Sequence, residues 1–427
     1  MDTETHNLLR GGVIPSLNKT DIPFRLGILT FHSQVNYGGV LQAFALYRAL
    51  LAMGYDVRVI DHWITADNRL LMGLFVPHAK WPRLRLIRLS LLGCGLWADE
   101  RRRRTTRRFL RERLALTPYH FFAWNEMHGK ELGIDCLVVG SDQVWNADWN
   151  DPRPYLLEDA PTNLLAITYA ASFGMTTIPE KWMTTFREGF KRFSAIGVRE
   201  PDGVGLVRSG DAKATHVLDP TQLLSAEMWH TALGLQPPRL GKKPILVCYF
   251  MRSYLEPWLM KYLPLLRRFA ERQKCRVMVF LDGSGAFTST QVALRERYPL
   301  KALRFAWAAR GIEVRRAAGP REFVQAFSEA TWLVSDSFHA LMFASIFGVE
   351  ARILRPERAE RMKMFTRLTG FAEKYVKGPL FADGLKAALD SLAAGPRVTY
   401  DEEALEADRE RSRTWLRDAL ERARRAD

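Results

Sequence analysis

LVSDSFHALMFASIFGV, residues Leu333–Val349, brings a strand end, a helix start and a histidine together within a few positions. Thr331–Val334 reads as the end of a short buried strand, Ser335–Ser337 as a tight turn, and Phe338–Phe347 as a helix apolar nearly all round and therefore internal. Ser337 is the natural N-cap, its side-chain oxygen placed to accept from a first-turn amide, and Gly348 stands where a glycine stops a helix. His339 falls in the first turn, where free N–H groups and the positive end of the dipole favour an anion. A capped core helix with a satisfied histidine has the same pattern, so the rest of the chain has to decide.

Outward from that stretch the same design recurs. Arg25–Thr30 reads as a buried strand, followed by the loop Phe31–Tyr37, a helix ending at Gly54 and the strand Asp56–Ile60, which together open a parallel sheet. Gly38 and Gly39 allow close backbone approach at the start of that helix, and Asn36, Tyr37 and Gln42 fall at the same edge. Ile134–Val139 ends in Ser141, Asp142 and Gln143, with Trp145 and Asn146 just beyond; Leu164–Ala171 ends in Ser172, Ala195–Val198 in Arg199 and Glu200, and His216–Leu218 in Asp219. Apolar strands thus finish in polar residues, and ligands of open α/β sheets bind outside those carboxyl ends. Residues 236–244 (QPPRLGKKP) read as a linker, after which Ile245–Phe250 restarts an alternation of its own. The expected organisation is a loose tail over 1–24, a first domain over 25–235 with a basic helical insertion at 70–113, a second over 245–398, and a charged helix over 399–427.

Length and composition agree with two cores: 427 residues at 47% hydrophobic content exceed what one core organises. The net charge of +15 is concentrated, with twelve basic residues against three acidic ones between Lys80 and Arg113. A basic segment beside the apolar runs LLMGLFV and LSLLGCGLW argues against a nucleic-acid binder. It suggests peripheral contact with an anionic membrane, apolar face down, or else a packed helical pair with a solvated arginine face. The four cysteines form no Cys-x-x-Cys pair and the nine histidines show no ligand spacing, so neither a disulfide framework nor a metal is expected. Met1–Pro23 lacks the order of a secretory signal and no run approaches about 20 apolar residues. The expected location is the cytoplasm, with peripheral contact at the inner face of the plasma membrane.

Seven stretches in order resemble the polysaccharide pyruvyltransferase family: GILTFHSQVNYGGVLQAFALYRAL, DCLVVGSDQVWN, ITYAASFG, IGVREPDGV, VLDPTQLL, GPREF and TWLVSDSFHALMFASIFG. The resemblance implies an α/β fold of two Rossmann-like domains facing a cleft, similar to type B glycosyltransferases. It also implies phosphoenolpyruvate as donor, no cofactor, and a glycan or lipid-linked oligosaccharide acceptor that receives pyruvate as a cyclic ketal. A donor with a carboxylate and a phosphate calls for arginines, which bind such groups bidentately. Arg199 is the first choice, with Arg252, Arg358 and Arg361 as further cations and Ser337 at the helix start. Protonation of the donor methylene calls for a group titrating near neutrality, which His339 supplies; its helix position should lower its pKa and the bound donor should raise it. Asp142 is the candidate base for the acceptor hydroxyl, although Ser141, Asp142 and Gln143 also fit a turn that bonds to itself. Trp145 is able to stack on a sugar or fill the core.

Two rivals remain. A nucleotide-sugar glycosyltransferase would share the cleft, but needs an apolar slot for its base and an acid for its ribose, and around Asp336–His339 the sequence offers arginines and no well-placed ribose acid. A non-catalytic anionic-surface binder would use residues 70–113 alone.

Overall fold

A computed structural model describes residues 24–33, 35–62, 94–119, 121, 132–148, 150–237, 241, 243–251, 256–281, 307–315, 317–356 and 359–425. The expected tail up to residue 23, positions 70–93 of the basic insertion, Arg252 and Arg358 lie outside these residues, and Arg361 is described in its backbone alone.

The first sheet contains β1 (Arg25–Leu29), β2 (Asp56–Val59), β3 (Cys136–Val139), β4 (Leu165–Ala171), β5 (Ala195–Val198) and β6 (Thr215–His216), all parallel, in the order β2-β1-β3-β4-β5-β6. Around it lie α1 (Tyr37–Ala52), α2 (Cys94–Arg113), α3 (Glu180–Phe190), α4 (Pro201–Ser209) and α5 (Ala226–Leu233). The second sheet contains β7 (Ile245–Phe250), β8 (Arg276–Leu281), β9 (Glu313–Arg315), β10 (Trp332–Ser335), β11 (Glu350–Leu354) and β13 (Phe381–Ala382), again all parallel, in the order β13-β11-β10-β7-β8-β9. Its helices are α6 (Glu256–Arg272), α7 (Pro320–Glu329), α8 (Phe338–Ile346), α9 (Ala359–Tyr375) and α10 (Leu385–Ala394); β12 (Val376–Lys377) and β14 (Thr399–Tyr400) form an antiparallel ribbon before α11 (Glu402–Arg425). Strands such as β3 and β7 are apolar and buried throughout because helices cover both faces of a parallel sheet. The chain is therefore an α/β protein of two Rossmann-like halves.

Each sheet reverses its strand order once. β1 lies between β2 and β3, and β7 between β8 and β10. At such a point the connections leave to opposite faces and open a crevice at the carboxyl ends of the strands. At the second reversal the Met251 N–H donates to Asp336 Oδ1 at 2.7 Å, tying the two loops together.

The halves share a core. Tyr37, at the start of α1, stacks on Phe323 of α7 at 4.3 Å between ring centroids, and its hydroxyl donates to the Ala318 carbonyl at 2.8 Å. Helix α8 is buried nearly all round, as its sequence requires: Phe343 meets Trp229 of the first half at 5.1 Å, and Gln222 Nε2 donates to the Met342 carbonyl at 3.0 Å. Helix α11 crosses back to the first sheet. A Cβ on Gly197 of β5 would lie 2.7 Å from the Trp415 ring, so only glycine allows this approach.

The basic segment differs from expectation. On sequence alone Thr105–Leu116 reads as the helix that follows the arginine run, but α2 runs from Cys94 to Arg113, since arginine is a good helix former and carries the helix back through Arg101–Arg104. Beyond it the chain extends instead along β2, with the Thr117 N–H donating to the Val59 carbonyl at 2.9 Å. Arg102, Thr106, Phe109 and Leu110 are buried, Phe109 against Phe44 at 5.4 Å. This face of α2 is thus turned into the protein, while the apolar runs LLMGLFV and LSLLGCGLW, on which the membrane reading rests, lie outside the residues whose side chains are described.

Candidate active site

The site grows from strand ends of both sheets. After β1, Asn36 caps α1: its Oδ1 accepts from the N–H groups of Gly38 at 2.8 Å and Gly39 at 3.3 Å. After β3, Gly140 adopts φ +104°, where a side chain would also collide with the Tyr169 carbonyl at 2.6 Å. Asp142 follows at φ +67°, its Oδ1 accepting from the Gln143 N–H at 2.9 Å. After β10, Ser337 has the extended backbone of an N-cap, yet its hydroxyl makes no cap bond, contrary to expectation. The Ser337 N–H donates to Ser335 Oγ at 3.1 Å, and Ser335 in turn donates to the Tyr249 carbonyl, so Ser335 organises the turn and leaves Ser337 lining the cleft. Gly348, at φ +66°, ends the helix as expected.

The two glycines of α1 set the approach of the halves. A Cβ on Gly38 would lie 2.1 Å from His339 Nδ1, and one on Gly39 would lie 3.4 Å from Asp142 Oδ2. The imidazole therefore rests on bare backbone of the opposite half, with the Asp142 carboxylate beside the next residue.

Behind them lies a buried charge cluster. Arg199, at the end of β5 and only 1% exposed in its side chain, reaches Asp219 at 3.1 Å, Glu200 at 3.4 Å and Asp142 at 3.5 Å. Its guanidinium lies 5.0 Å from the centre of the Phe338 ring, and that of Arg367 lies 5.5 Å from the same ring. Burial works against charge on Arg199, but the carboxylates of Glu200, Asp142 and Asp219 outweigh it and raise its pKa. Burial and the repulsion of Arg199 push Arg367 down to about 10, against the pull of Glu200, Asp142 and Asp219. For Asp219, burial favours the neutral acid, yet His339, Arg199 and Thr221 together hold its carboxyl well below the usual range. His339 Nε2 faces Asp219 Oδ2 at 3.6 Å, within ion-pair reach but longer than a hydrogen bond.

In front of the cluster opens a cleft of about 160 Å³ with walls from both halves. Asn36, Asp142 and Gln143 come from the first; Asp336, Ser337, His339, Arg355 and Arg367 come from the second. Its lining also includes the apolar side chains of Met251, Tyr262, Leu354, Phe365 and Leu385, which the sequence around Asp336–His339 did not disclose.

A family model described as polysaccharide pyruvyl transferase matches residues 36–357, most of the chain, including Asn36, Asp142, Arg199, Asp219 and His339 but not Arg367. The chain belongs to the polysaccharide pyruvyl transferase family. Among solved structures it is similar to a UDP-GlcNAc 2-epimerase of Neisseria meningitidis (10% identity over 93% of this chain and 99% of that one, TM-score 0.44). It is also similar to a UDP-GlcNAc 2-epimerase of Methanocaldococcus jannaschii (13%, 86% and 98%, TM-score 0.41) and to the glycosyltransferase SnogD of Streptomyces nogalater (14%, 95% and 98%, TM-score 0.39). Among curated proteins no significant match is found.

In this pyruvyl transferase the expected site residues separate into groups. His339, Ser337, Asp142, Gln143 and Asn36 meet at the cleft, with Gly38 and Gly39 beneath. Arg199 stands behind the wall, enclosed by carboxylates. Tyr37 is a contact between halves, as described above. Gln42 is fully buried, with Nε2 donating to Thr30 Oγ1 at 2.9 Å and the Gly39 carbonyl at 2.8 Å, so it braces the loop after β1 rather than edging the cleft. Trp145 is a core residue, its Nε1 donating to the Tyr155 carbonyl at 3.0 Å and its ring 5.1 Å from Phe173. Asn146 holds the Gln143 side chain at 2.7 Å, and Ser141 is buried with its carbonyl accepting from Thr30 Oγ1 at 2.8 Å. Two important residues were given no role by the sequence. Asp219 was visible only as one more polar strand end, and Arg367 lies within α9 with no motif around it.

Proposed function

We propose that the enzyme transfers pyruvate from phosphoenolpyruvate to a sugar of a glycan precursor, forming a cyclic ketal and releasing phosphate. The observation that carries this reading is His339, at the cleft wall between the backbone of Gly38 and the carboxylate of Asp219, with Arg367 lining the same cleft. Arg367, Arg355, the Ser337 hydroxyl and the first-turn N–H groups of α8 are the donor's anchors, as suits a small anion with phosphate and carboxylate groups.

In the reaction His339 gives a proton to the donor methylene, and the carbon bearing the phosphate becomes an oxocarbenium-like centre. A sugar hydroxyl attacks that carbon and loses its proton to Asp142. A second hydroxyl then displaces phosphate and closes the ring, and its proton leaves with phosphate or the general base. Arg199 keeps Asp142, Glu200 and Asp219 in place behind the reacting atoms and touches none of them.

The apolar residues in the cleft lining favour one alternative, binding of a nucleotide-linked sugar there as glycosyl donor. Phosphate release from phosphoenolpyruvate, followed across a panel of glycan acceptors in deuterated water, separates the two. Deuterium in the transferred methyl group, with turnover lowered roughly 10²–10⁴-fold in a folded His339→Ala variant, is the expected result. Sugar transfer from a nucleotide without deuterium uptake would overturn the proposal.

A further inference from the structure

A second groove lies on the far side of the charge cluster, between the edge strand β6, the end of α9 and the outer face of α11. It encloses about 610 Å³, within the range of roughly 300–1,000 Å³ typical of small-molecule sites. We infer that this groove holds a neutral, hydroxyl-rich stretch of the glycan, away from the sugar that reacts; the inference rests on the acceptor being a glycan.

The lining carries the argument. Trp415 forms part of the wall while the tip of its ring is pinned against Gly197, so a rigid aromatic surface is already in place for a sugar's apolar face. The lining carries both acceptors and donors. His216 Nε2 donates to the Arg199 carbonyl at 3.1 Å, which leaves Nδ1 as an acceptor; burial lowers the pKa of this ring and keeps it neutral. Glu410 and the exposed Asp418 add carboxylates, while Thr414, Lys374 and Arg411 add donors. Lys374 and Arg411 both pair with Asp408, which also accepts from the Tyr375 hydroxyl. An anion entering here would therefore meet three carboxylates and two cations that are already paired. A hydroxyl, which both donates and accepts, matches the mixture.

The groove is also connected to the active site. Its floor includes Val217 and Leu218, and the next residue is Asp219, which faces His339. The Leu218 N–H donates to Ser412 Oγ of α11 at 3.1 Å, so the segment after β6 that presents Asp219 is clamped from the groove side. A glycan bound there would press on this clamp, and the enzyme would discriminate by chain length as well as by the reacting sugar.

Hydrogen exchange read by mass spectrometry locates the binding. The probes are neutral tetrasaccharides of gluco, galacto, manno and N-acetylgluco type, tested on the full chain and on Thr215→Arg and Trp415→Phe variants. Thr215→Arg places a long cation at the exposed rim, and Trp415→Phe keeps a ring against Gly197. At least one tetrasaccharide is expected to slow exchange over residues 215–218 and 408–418. Both variants should weaken that binding about five-fold or more, equivalent to about 1 kcal/mol, and raise KM for the tetrasaccharide but not for a monosaccharide acceptor. Protection confined to the cleft, protection that survives Thr215→Arg, or protection given by inorganic phosphate instead of sugar would each overturn the inference. Because exchange is measured without turnover, it fails or succeeds independently of the donor chemistry.

Discussion

Arg199 and Asp219 show how burial reshapes a residue's role. The sequence suggested Arg199 as a donor ligand because an arginine at a strand end suits phosphate. In the structure three carboxylates from three loops surround it, and its charge is used inside the protein. Asp219 is the residue most dependent on that arrangement, and its depressed pKa gives a signed prediction. A carboxylate held below its unfolded pKa of about 3.9 contributes stability that is complete above that pH and is lost as pH falls through the folded value. Asp219→Asn should therefore lower stability by about 3 kcal/mol at neutral pH, with the gap to wild type closing only below about pH 4. Urea denaturation at pH 7, 5, 4 and 3 measures this; a gap that stays constant would remove the charge from the explanation. His339 and Asp142 were legible because each lies in a short, unusual motif at a strand end. The partner of His339 was not, since nothing in a linear chain says that position 219 will face position 339.

Among elements, the parallel strands were the most legible. β5 and β7 have the expected bounds, because a buried strand is an uninterrupted apolar run between polar ends. Helix α2 was the least legible: four consecutive arginines obscure the apolar stripe that packs it, which only the folded chain reveals. The contact between the starts of α1 and α8 was half visible, since the paired glycines signalled close approach but not of what. Gly38→Ala tests it. Alanine suits a helix, so the variant should fold with a Tm within a few degrees of wild type, but its Cβ would displace the His339 imidazole. Turnover should fall about 10²-fold, the usual cost of shifting a catalytic group by about 1 Å. Near-normal pyruvyl transfer by the folded variant would mean that His339 does not need its present position.

At the scale of the molecule, the polar edges of two sheets were legible as one cleft, but the depth of the contact between halves was not. Tyr37 is the clearest case: its position in a loop-to-helix motif suggested a ligand contact, whereas its ring lies among Tyr249, Phe280 and Phe323 of the other half. Tyr37→Ala should cost about 3–5 kcal/mol and Tyr37→Phe about 1 kcal/mol, measured by equilibrium urea unfolding. A loss below 1 kcal/mol for Tyr37→Ala would show that the two halves do not depend on this ring.

Helix α11 gives the chain an order of events. Trp415 and Ser412 cover the part of the first sheet that carries Gly197 and Leu218, yet they are synthesised about 200 residues after it. At roughly 5–20 residues per second the ribosome needs about 10–40 s to deliver them. Through that interval β5 and β6 wait without their cover, and the nascent first half exposes an apolar face that chaperones can recognise. The enzyme's dependence on chaperones should therefore be set by a helix that is synthesised after every residue of its catalytic cleft.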